Sequence, residues 1–457
     1  GAQSRTPART SPRAAGLPAR QAALAILLRV QQQRAFADIL LGHRLGAFAP
    51  NDRRLITQLV LGTITWQGRL DYELARLCSH PLQNLAPELA IILRMGLHQI
   101  RTLTRIPPHA VVDTGVRLAR QCGGETARAA GMVNAVLRRA LRQHMPLPDR
   151  AADELEYLSI TYSHPRWLVE RLVQWFGHEA EALLSANNSA ASNVIRLNLA
   201  RAPATVIAQR LTREGFEISN GALEETLILK EAPPADSSAY RDGMFTPQSE
   251  ASQMVARMLA PARGATVVDC AAAPGGKSTH LAELVGSAGK VIACDLNLAG
   301  IRKIRHLAAR LGHRNIYLAR ADCADAIPLR QDSFDYVLLD APCTGSGTMR
   351  EHPEIRWRLV ATDFSRMARL QRAMLDNAAH LMRVGGAVVY SVCSIASQEG
   401  PEVVRDFLAS HRGFKLDNSP PVPAAMRDTL AGDGSMRTRP DRGGRDGFYA
   451  ARLVRLT

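Results

Sequence analysis

No apolar run in this chain reaches the ~20 residues that a bilayer-spanning helix requires. The strongest runs, Ala22 to Val30 and Leu89 to Leu93, are interrupted or flanked by polar residues, so no membrane partner is expected. The first 20 residues lack the apolar core of a secretory signal, and the chain opens Gly1-Ala2-Gln3 without a methionine, which reads as a remnant of processing. Nothing directs the protein outward, and a cytoplasmic setting is expected. Seven cysteines are an odd number and none is spaced C-x-x-C, which argues against a disulfide framework and against a zinc site. Reduced thiols and no metal are therefore expected. Lysine is scarce, 5 of the 57 basic residues, a skew that speaks of composition more than of mechanism. No internal repeat or long low-complexity tract is present.

What is present is length and an uneven charge. A chain of 457 residues, 46% hydrophobic, can bury sizeable cores and fits about three domains. Of its formal charge of +15, residues 1–150 carry nearly all: 21 Arg, no Lys and 8 acidic residues, a net +13. The remaining 36 basic and 34 acidic residues leave +2. This is the distribution expected when a polyanion-binding module is attached to a near-neutral catalytic one.

Residues 1–19, rich in Arg, Pro, Ser, Thr and Ala, offer too little apolar surface to offset chain ordering and read as a disordered basic tail. From about residue 20 to 145 the pattern is helical, with apolar residues three and four apart at Leu24, Leu27, Leu28; Leu55, Leu59, Val60; Leu89, Ile92, Leu93; and Val133, Val136, Leu137. Asn51-Asp52 and Pro107-Pro108 read as helix starts. Residues 150–235 mix periods: helix over Trp167 to Phe176, strand over Asn193 to Leu199, helix over Thr205 to Thr212, and strand at Ile218 and Leu227 to Leu229. A small α+β subdomain is expected there, closed by a hinge at Pro233 to Ser238. Over residues 236–457 short apolar runs (Thr266 to Asp269, Lys290 to Asp295, Ile316 to Leu318, Tyr336 to Asp340, Ala387 to Ser391) alternate with amphipathic stretches. That order predicts a mostly parallel, helix-covered sheet. Ser435 to Gly447 reads as a loop before a strand-like Phe448 to Leu453.

Parallel sheets bind ligands beyond the C-terminal ends of their strands, and that is where the unusual residues fall. After Asp269 comes Ala271-Ala272-Ala273-Pro274-Gly275-Gly276-Lys277, whose small residues let backbone approach a ligand. It matches neither the G-x-x-x-x-G-K-[ST] phosphate loop nor the dinucleotide G-x-G-x-x-G. Asp295, at the end of the next strand, is placed to accept both hydroxyls of a ribose. Asp322 is placed to accept from an adenine amino group, and Asp340 stands at a fourth strand end. Each aspartate alone is commonly a cap or turn residue. Together they form an acidic rim suited to the sulfonium and hydroxyl-rich rings of S-adenosylmethionine better than to a pyrophosphate.

Two further strand ends carry cysteines: Asp340-Ala341-Pro342-Cys343-Thr344-Gly345-Ser346-Gly347 and Tyr390-Ser391-Val392-Cys393-Ser394. Cytosine C5 is a poor nucleophile, but a thiolate added to C6 turns the ring into an enamine whose C5 can attack a methyl sulfonium. The C5 proton must then leave and the thiol be eliminated, so a second assisting group is needed. Asp340 contacting N3 and the exocyclic amine would stabilise charge developing on the ring. Two cysteines imply a division of labour. Cys78, Cys122, Cys270, Cys294 and Cys323 read as ordinary core thiols.

These motifs, with Cys294-Asp295-Leu296, Val194-Ile195-Arg196-Leu197-Asn198 and Gly447-Phe448-Tyr449-Ala450, resemble the RNA cytosine-C5 methyltransferase family, and within it the bacterial 16S ribosomal RNA methyltransferase B (RsmB, or Sun) group. The resemblance covers about residues 150–457, and the basic helical region is similar to that group's NusB-like RNA-binding domain. It implies a Rossmann-like class I methyltransferase domain of α/β class, an all-α NusB-like N-terminal domain and an α+β subdomain between them. It also implies Cys393 as nucleophile, Cys343 in product release, and S-adenosylmethionine contacts at Ala271 to Lys277, Asp295, Asp322 and Asp340. Val392 and Ala271 stand where the family often has Thr and Cys, neither a reacting group. The expected substrate is a cytosine of 16S rRNA; transfer RNA or another RNA, and an assembly role without essential catalysis, are the alternatives.

Overall fold

The structure, a computed structural model, describes residues 16–122, 126–231, 237–325 and 327–457. Most of the expected basic tail and Pro233 to Asp236 of the expected hinge lie outside these residues. The tail ends earlier than its composition implies, because Pro18 sits in the first turn of a helix that starts at Leu17, where its missing N–H costs nothing.

The chain divides into two compact units, one running to Leu184 and taking in Glu351–Arg358, the other comprising Ser185–Arg350 and Leu359–Thr457. The first is helical: Leu17–Gln32, Ala37–Arg44, Pro50–Thr65, Gln67–Leu77, Pro87–Thr102, Pro108–Gln121 and Thr126–Arg142 come first. Proline opens several of these, at Pro50, Pro87 and Pro108. The predicted apolar stripe is the core, with Leu27, Leu59, Val60, Ile92, Leu93, Val133 and Leu137 buried together, each contributing about 1.5–3 kcal/mol. Leu137 packs where two helices lack side chains: a Cβ on Gly96 would come within 2.6 Å of it and one on Gly115 within 2.9 Å.

Helices Glu154–Tyr162 and Arg166–Phe176 also belong to this unit, although the sequence pattern put them with the α+β segment. Ser163, between them, explains why: its Oγ accepts from the N–H groups of Gly68 and Arg69 at 3.0 and 3.3 Å and so caps helix Gln67–Leu77. Glu351–Arg358 is anchored in the same unit. Trp357 Nε1 donates to the Ile64 carbonyl at 2.7 Å, Arg358 to the Ala35 carbonyl at 2.6 Å, and the Glu354 carboxylate accepts from the Ala37 N–H at 2.9 Å.

In the second unit, strands β1 (Asn193–Leu197), β2 (Ile218–Asn220), β3 (Thr226–Leu229) and β4 (Phe245–Pro247) form an antiparallel sheet of order β2-β3-β1-β4. Ile195, Leu197, Leu227, Leu229 and Phe245 are buried in its core with Ile207 and Leu211 of helix Ala204–Arg213.

The larger sheet contains β5 (Thr266–Asp269), β6 (Lys290–Asp295), β7 (Ile316–Arg320), β8 (Phe334–Asp340), β9 (Met382–Val392), β10 (Phe414–Leu416) and β12 (Phe448–Arg455), in the order β10-β12-β9-β8-β5-β6-β7. β11 (Met436–Thr438) pairs with β12, so a strand lies in the stretch read as a loop; three residues are too few for an alternating pattern to stand out. Strands β7, β6, β5, β8 and β9 are parallel, whereas β12 runs against β9 and β10. Successive residues point to opposite faces, and the two cores show it. Val268, Leu339 and Val388 join Leu375 and Phe407 of helices Thr362–Ala379 and Pro401–Ser410, while Val267, Leu338 and Val389 join Met254 and Leu281 of helices Glu250–Leu259 and Gly276–Val285. From β5 the chain proceeds outward to β6 and β7, then returns to β8 on the other side. That reversal makes a topological switch point between β5 and β8, the place where open α/β sheets bind ligands beyond their strand ends.

Candidate active site

β5 ends at Asp269, and the chain turns through the small-residue loop into helix Gly276–Val285. The turn requires glycine at 275: φ is +109°, and a Cβ would stand 3.1 Å from Ile304 Cα. Asp269 is buried, which lifts its carboxyl to about 7 against the hydrogen bond it accepts from Ser278 Oγ at 2.6 Å. Its buried Oδ1 has no hydrogen-bond partner among the described residues.

At the end of β6, Asp295 accepts from Ala273 N–H at 3.0 Å and from Asn297 N–H at 2.9 Å, tying the loop to the neighbouring strand. Asp322 is exposed, beyond the end of β7, and accepts from the N–H of Ala324 at 2.9 Å in its own turn. Arg196 of β1, fully buried, donates to the Gly276 carbonyl at 2.6 Å, to Thr279 Oγ1 at 2.9 Å and to Glu283 Oε1 at 2.9 Å. Asn198 donates from Nδ2 to the carbonyls of Gly243 and Leu311, both at 2.9 Å. Arg196 thus braces the helix that follows the loop, while Asn198 holds the end of helix Leu298–Leu311.

Asp340 of β8 pairs in register with Ser391 of the adjacent parallel strand β9, so the two cysteine loops leave the sheet side by side. Cys343 Sγ lies 3.2 Å from Cys393 Sγ. Asp340 accepts from Lys277 Nζ at 2.7 Å and from Ser391 Oγ at 2.7 Å. Lys277 also stands 5.5 Å from the Phe448 ring centroid. Burial works against its ammonium, but the Asp340 carboxylate outweighs burial and raises its pKa, so the charge persists. The hydrogen bond with Cys393, followed by burial and the nearby Glu399 carboxylate, pushes the Cys343 thiol well above its ordinary range.

Sequence reasoning missed Glu399. It is buried, accepts from Thr344 N–H at 2.8 Å, Ser394 Oγ at 2.6 Å and Gln371 Nε2 at 3.0 Å, and also takes the Thr344 hydroxyl. Only an acidic residue shortly after the second motif marked it. The cysteine loops are further locked by the Ser346 and Ser394 hydroxyls, 2.8 Å apart, and by the Gly347 N–H donating to the Cys393 carbonyl at 3.0 Å. Of the thiols read as core residues, Cys270, Cys294 and Cys323 are buried and Cys78 and Cys122 half-buried.

The structure therefore joins Lys277 to Asp340 and Cys343 to Cys393 by direct contacts at the ends of neighbouring strands, and ties Asp295 to the loop. Asp322 keeps to its own turn. Among the described residues, a group with mutually close metal-ligand atoms is Asp38, His352 and Glu354 in the first unit, which shares no residue with this site. Among the described residues, no helix is long and apolar enough to cross a membrane.

Family models match in three stretches: the NusB family over residues 17–142, the RsmF/B-like ferredoxin-like domain over 164–236, and 16S rRNA methyltransferase RsmB/F over 256–454. The ribosomal RNA small subunit methyltransferase B of Pseudomonas syringae pv. tomato is 32% identical over 451 residues, covering 96% of this chain and 97% of its own. That of Pseudomonas putida is 31% identical over 456 residues, covering 96% and 98%. Among solved structures, PH0851 is similar with a TM-score of 0.82 and 28% identity, over 98% of this chain and 100% of its own. The motifs, the class I sheet with its helical and α+β companions, and these near-full-length likenesses agree: the chain belongs to the ribosomal RNA small subunit methyltransferase B family, a family of rRNA methyltransferases.

Proposed function

We propose that this protein methylates C5 of a cytosine in 16S rRNA, using S-adenosylmethionine and a transient bond between Cys393 Sγ and cytosine C6. The observation that carries this reading is the pair of thiols 3.2 Å apart at neighbouring parallel strand ends, beside the Lys277–Asp340 ion pair. The residues present fit the cofactor. Each Asp295 oxygen accepts one backbone N–H and retains lone pairs for ribose hydroxyls, and at the same sheet edge Asp269 Oδ1 lacks a partner among the described residues. Ala271 to Lys277, Asp295, Asp322 and Asp340 would hold the cofactor, which when bound supplies an electrophilic methyl group.

The chain's own residues supply the rest. Cys393 adds to C6 as thiolate, and the Cys343 S–H donates to that sulfur and steadies its charge. Asp340 accepts from the exocyclic amine, while the Lys277 ammonium offsets negative charge spreading over the ring. Once Cys393 is bonded to carbon, Cys343 loses the sulfur neighbour that raised its pKa and releases its S–H proton to solvent water. As thiolate it takes the C5 proton; the electrons restore the C5–C6 double bond, and Cys393 leaves as thiolate. The base has to be extruded from its stack to reach these groups, and the arginine-rich helical unit, similar to NusB, is suited to hold RNA phosphates. Such a substrate places the work in the cytoplasm.

The test is to incubate purified protein with unmethylated 16S rRNA, free or in small-subunit particles, and methyl-labelled cofactor, then map 5-methylcytosine by bisulfite sequencing. Methylation of one 16S cytosine, lost in Cys393→Ala, is the expected result. Methylation confined to transfer RNA, or tight RNA binding without transfer to any RNA, would replace this reading with another.

A further inference from the structure

Each reactive cysteine is followed by a residue whose side chain or backbone ends on the same carboxylate. Thr344, next after Cys343, donates to Glu399 through its N–H at 2.8 Å and also through its hydroxyl; Ser394, next after Cys393, donates its hydroxyl at 2.6 Å. Glu399 is fully buried, and its position is itself fixed. Gln371 Nε2 donates to it at 3.0 Å and to the Pro342 carbonyl, just before Cys343, also at 3.0 Å. The Tyr390 hydroxyl donates to Gln371 Oε1 at 3.1 Å and also to the Glu399 carbonyl. A buried carboxylate is costly unless its lone pairs are filled. Here four donors fill them, and those of Thr344 and Ser394 belong to the two loops whose relative placement decides whether the sulfurs meet.

We propose that Glu399 is a positioning residue that sets the separation of Cys343 and Cys393, and so determines whether the two thiols act on one cytosine ring. This rests on reading the two cysteines as the reacting pair. Without the carboxylate the loops keep their strand-end origins, the Ser346–Ser394 contact and the bond from Gly347 N–H to the Cys393 carbonyl, but lose the buried anchor that both residues next to the cysteines share, and a displacement near 1 Å at reacting atoms costs about 100-fold in rate. Glutamine at 399 can preserve the fastening: its carbonyl oxygen takes the Thr344 and Gln371 N–H donors, while its amide N–H groups face two hydroxyls that rotate to accept. The geometry survives although the charge is gone.

Phenylarsine oxide measures the sulfur pair directly, independent of RNA. Two S–H groups close on one trivalent arsenic, forming two As–S bonds, and the arsenical oxygen leaves as water with no change of oxidation state. The full-length protein is expected to capture one equivalent at this pair, identified by its loss in both Cys343→Ala and Cys393→Ala. Glu399→Ala should slow capture at least about tenfold and methyl transfer about 100-fold, with the cofactor KM within about twofold of wild type. Glu399→Gln should restore both rates to within a few fold. Ser394→Ala, which removes the Cys393-side donor to Glu399 together with the Ser346 contact and leaves the Thr344 donors in place, should slow both less than Glu399→Ala and serves if the latter does not fold.

Unchanged capture and transfer in folded Glu399→Ala would overturn the proposal. So would equal loss of transfer in Glu399→Ala and Glu399→Gln with capture intact, because charge and not placement would then be the cause. Should Glu399→Ala not fold, unchanged capture in Ser394→Ala would overturn it as well. Capture that follows this pattern in a protein that methylates no RNA cytosine would instead retire the proposed reaction and leave Glu399 as the spacer of the pair.

Discussion

Lys277 Nζ donates to Asp340 Oδ2 at 2.7 Å, and this one ion pair ties the helix after the small-residue loop to the strand that leads into the first cysteine. Substituting Lys277→Met leaves Asp340 without its cation where negative charge develops on the ring. We expect kcat/KM to fall about 10²–10³-fold, mostly in kcat, with a smaller loss of cofactor affinity by calorimetry because the backbone of residue 277 still closes the loop. A proportionate loss of cofactor affinity would make the ion pair a feature of ground-state binding instead.

Cys343→Ala should accumulate a covalent protein–RNA species that survives denaturing electrophoresis, because addition proceeds and release stalls. Cys393→Ala should give neither adduct nor methylated product. A denaturant-resistant complex formed by Cys393→Ala but not by Cys343→Ala would exchange the two roles.

Asp269 gives a pH signature. Burial raises its carboxyl from 3.8 to about 7, so between those values the folded protein retains a proton that the unfolded chain has released. Stability from this group is therefore full below about pH 4, falls as pH rises, and is gone above about 7. Asp269→Asn cannot ionise, and its stability relative to wild type should climb across that window by at most about 4 kcal/mol. Urea titrations at pH 5, 6, 7 and 8 check this; parallel curves at every pH would show that Asp269 does not titrate there.

Arg196 is buried against Glu283, 2.9 Å away, and holds the Gly276 carbonyl. Arg196→Met strands a buried carboxylate, and a loss of about 3–5 kcal/mol in unfolding free energy is expected. Because Gly276 belongs to the loop, cofactor binding should weaken as well. A variant of unchanged stability would show that the neighbouring His313, 3.3 Å from Glu283, compensates alone.

The sequence was most legible where structure follows from local pattern. Leu59, Val60, Ile92 and Leu93 sit three and four apart and line the helical core. Val267 and Val268 are both buried, in different cores on opposite faces, which is why a continuous apolar run correctly read as a covered strand. Asp295, Asp340, Cys343 and Cys393 were found from strand ends, since a parallel sheet gathers those ends at one edge. What stayed hidden depends on long-range contacts that carry no periodicity. Glu399 meets Thr344 across 55 residues, Arg196 meets Glu283 across 87, and Trp357 meets Ile64 across 293. Motif resemblance drew attention to Arg196 and Asn198 without revealing that they are braces.

Residues Glu351–Arg358 follow the first cysteine motif in the chain, yet their indole, carboxylate and guanidinium are fastened among the N-terminal helices. During synthesis the early helices emerge long before these eight residues do, so the amino-terminal half has to wait on the ribosome for a piece it lacks. Scission after Leu184 would not liberate a finished module: the fragment would be missing the partners of Ile64, Ala35 and Ala37, and mixing it with the remainder is expected to regain stability that neither piece has alone.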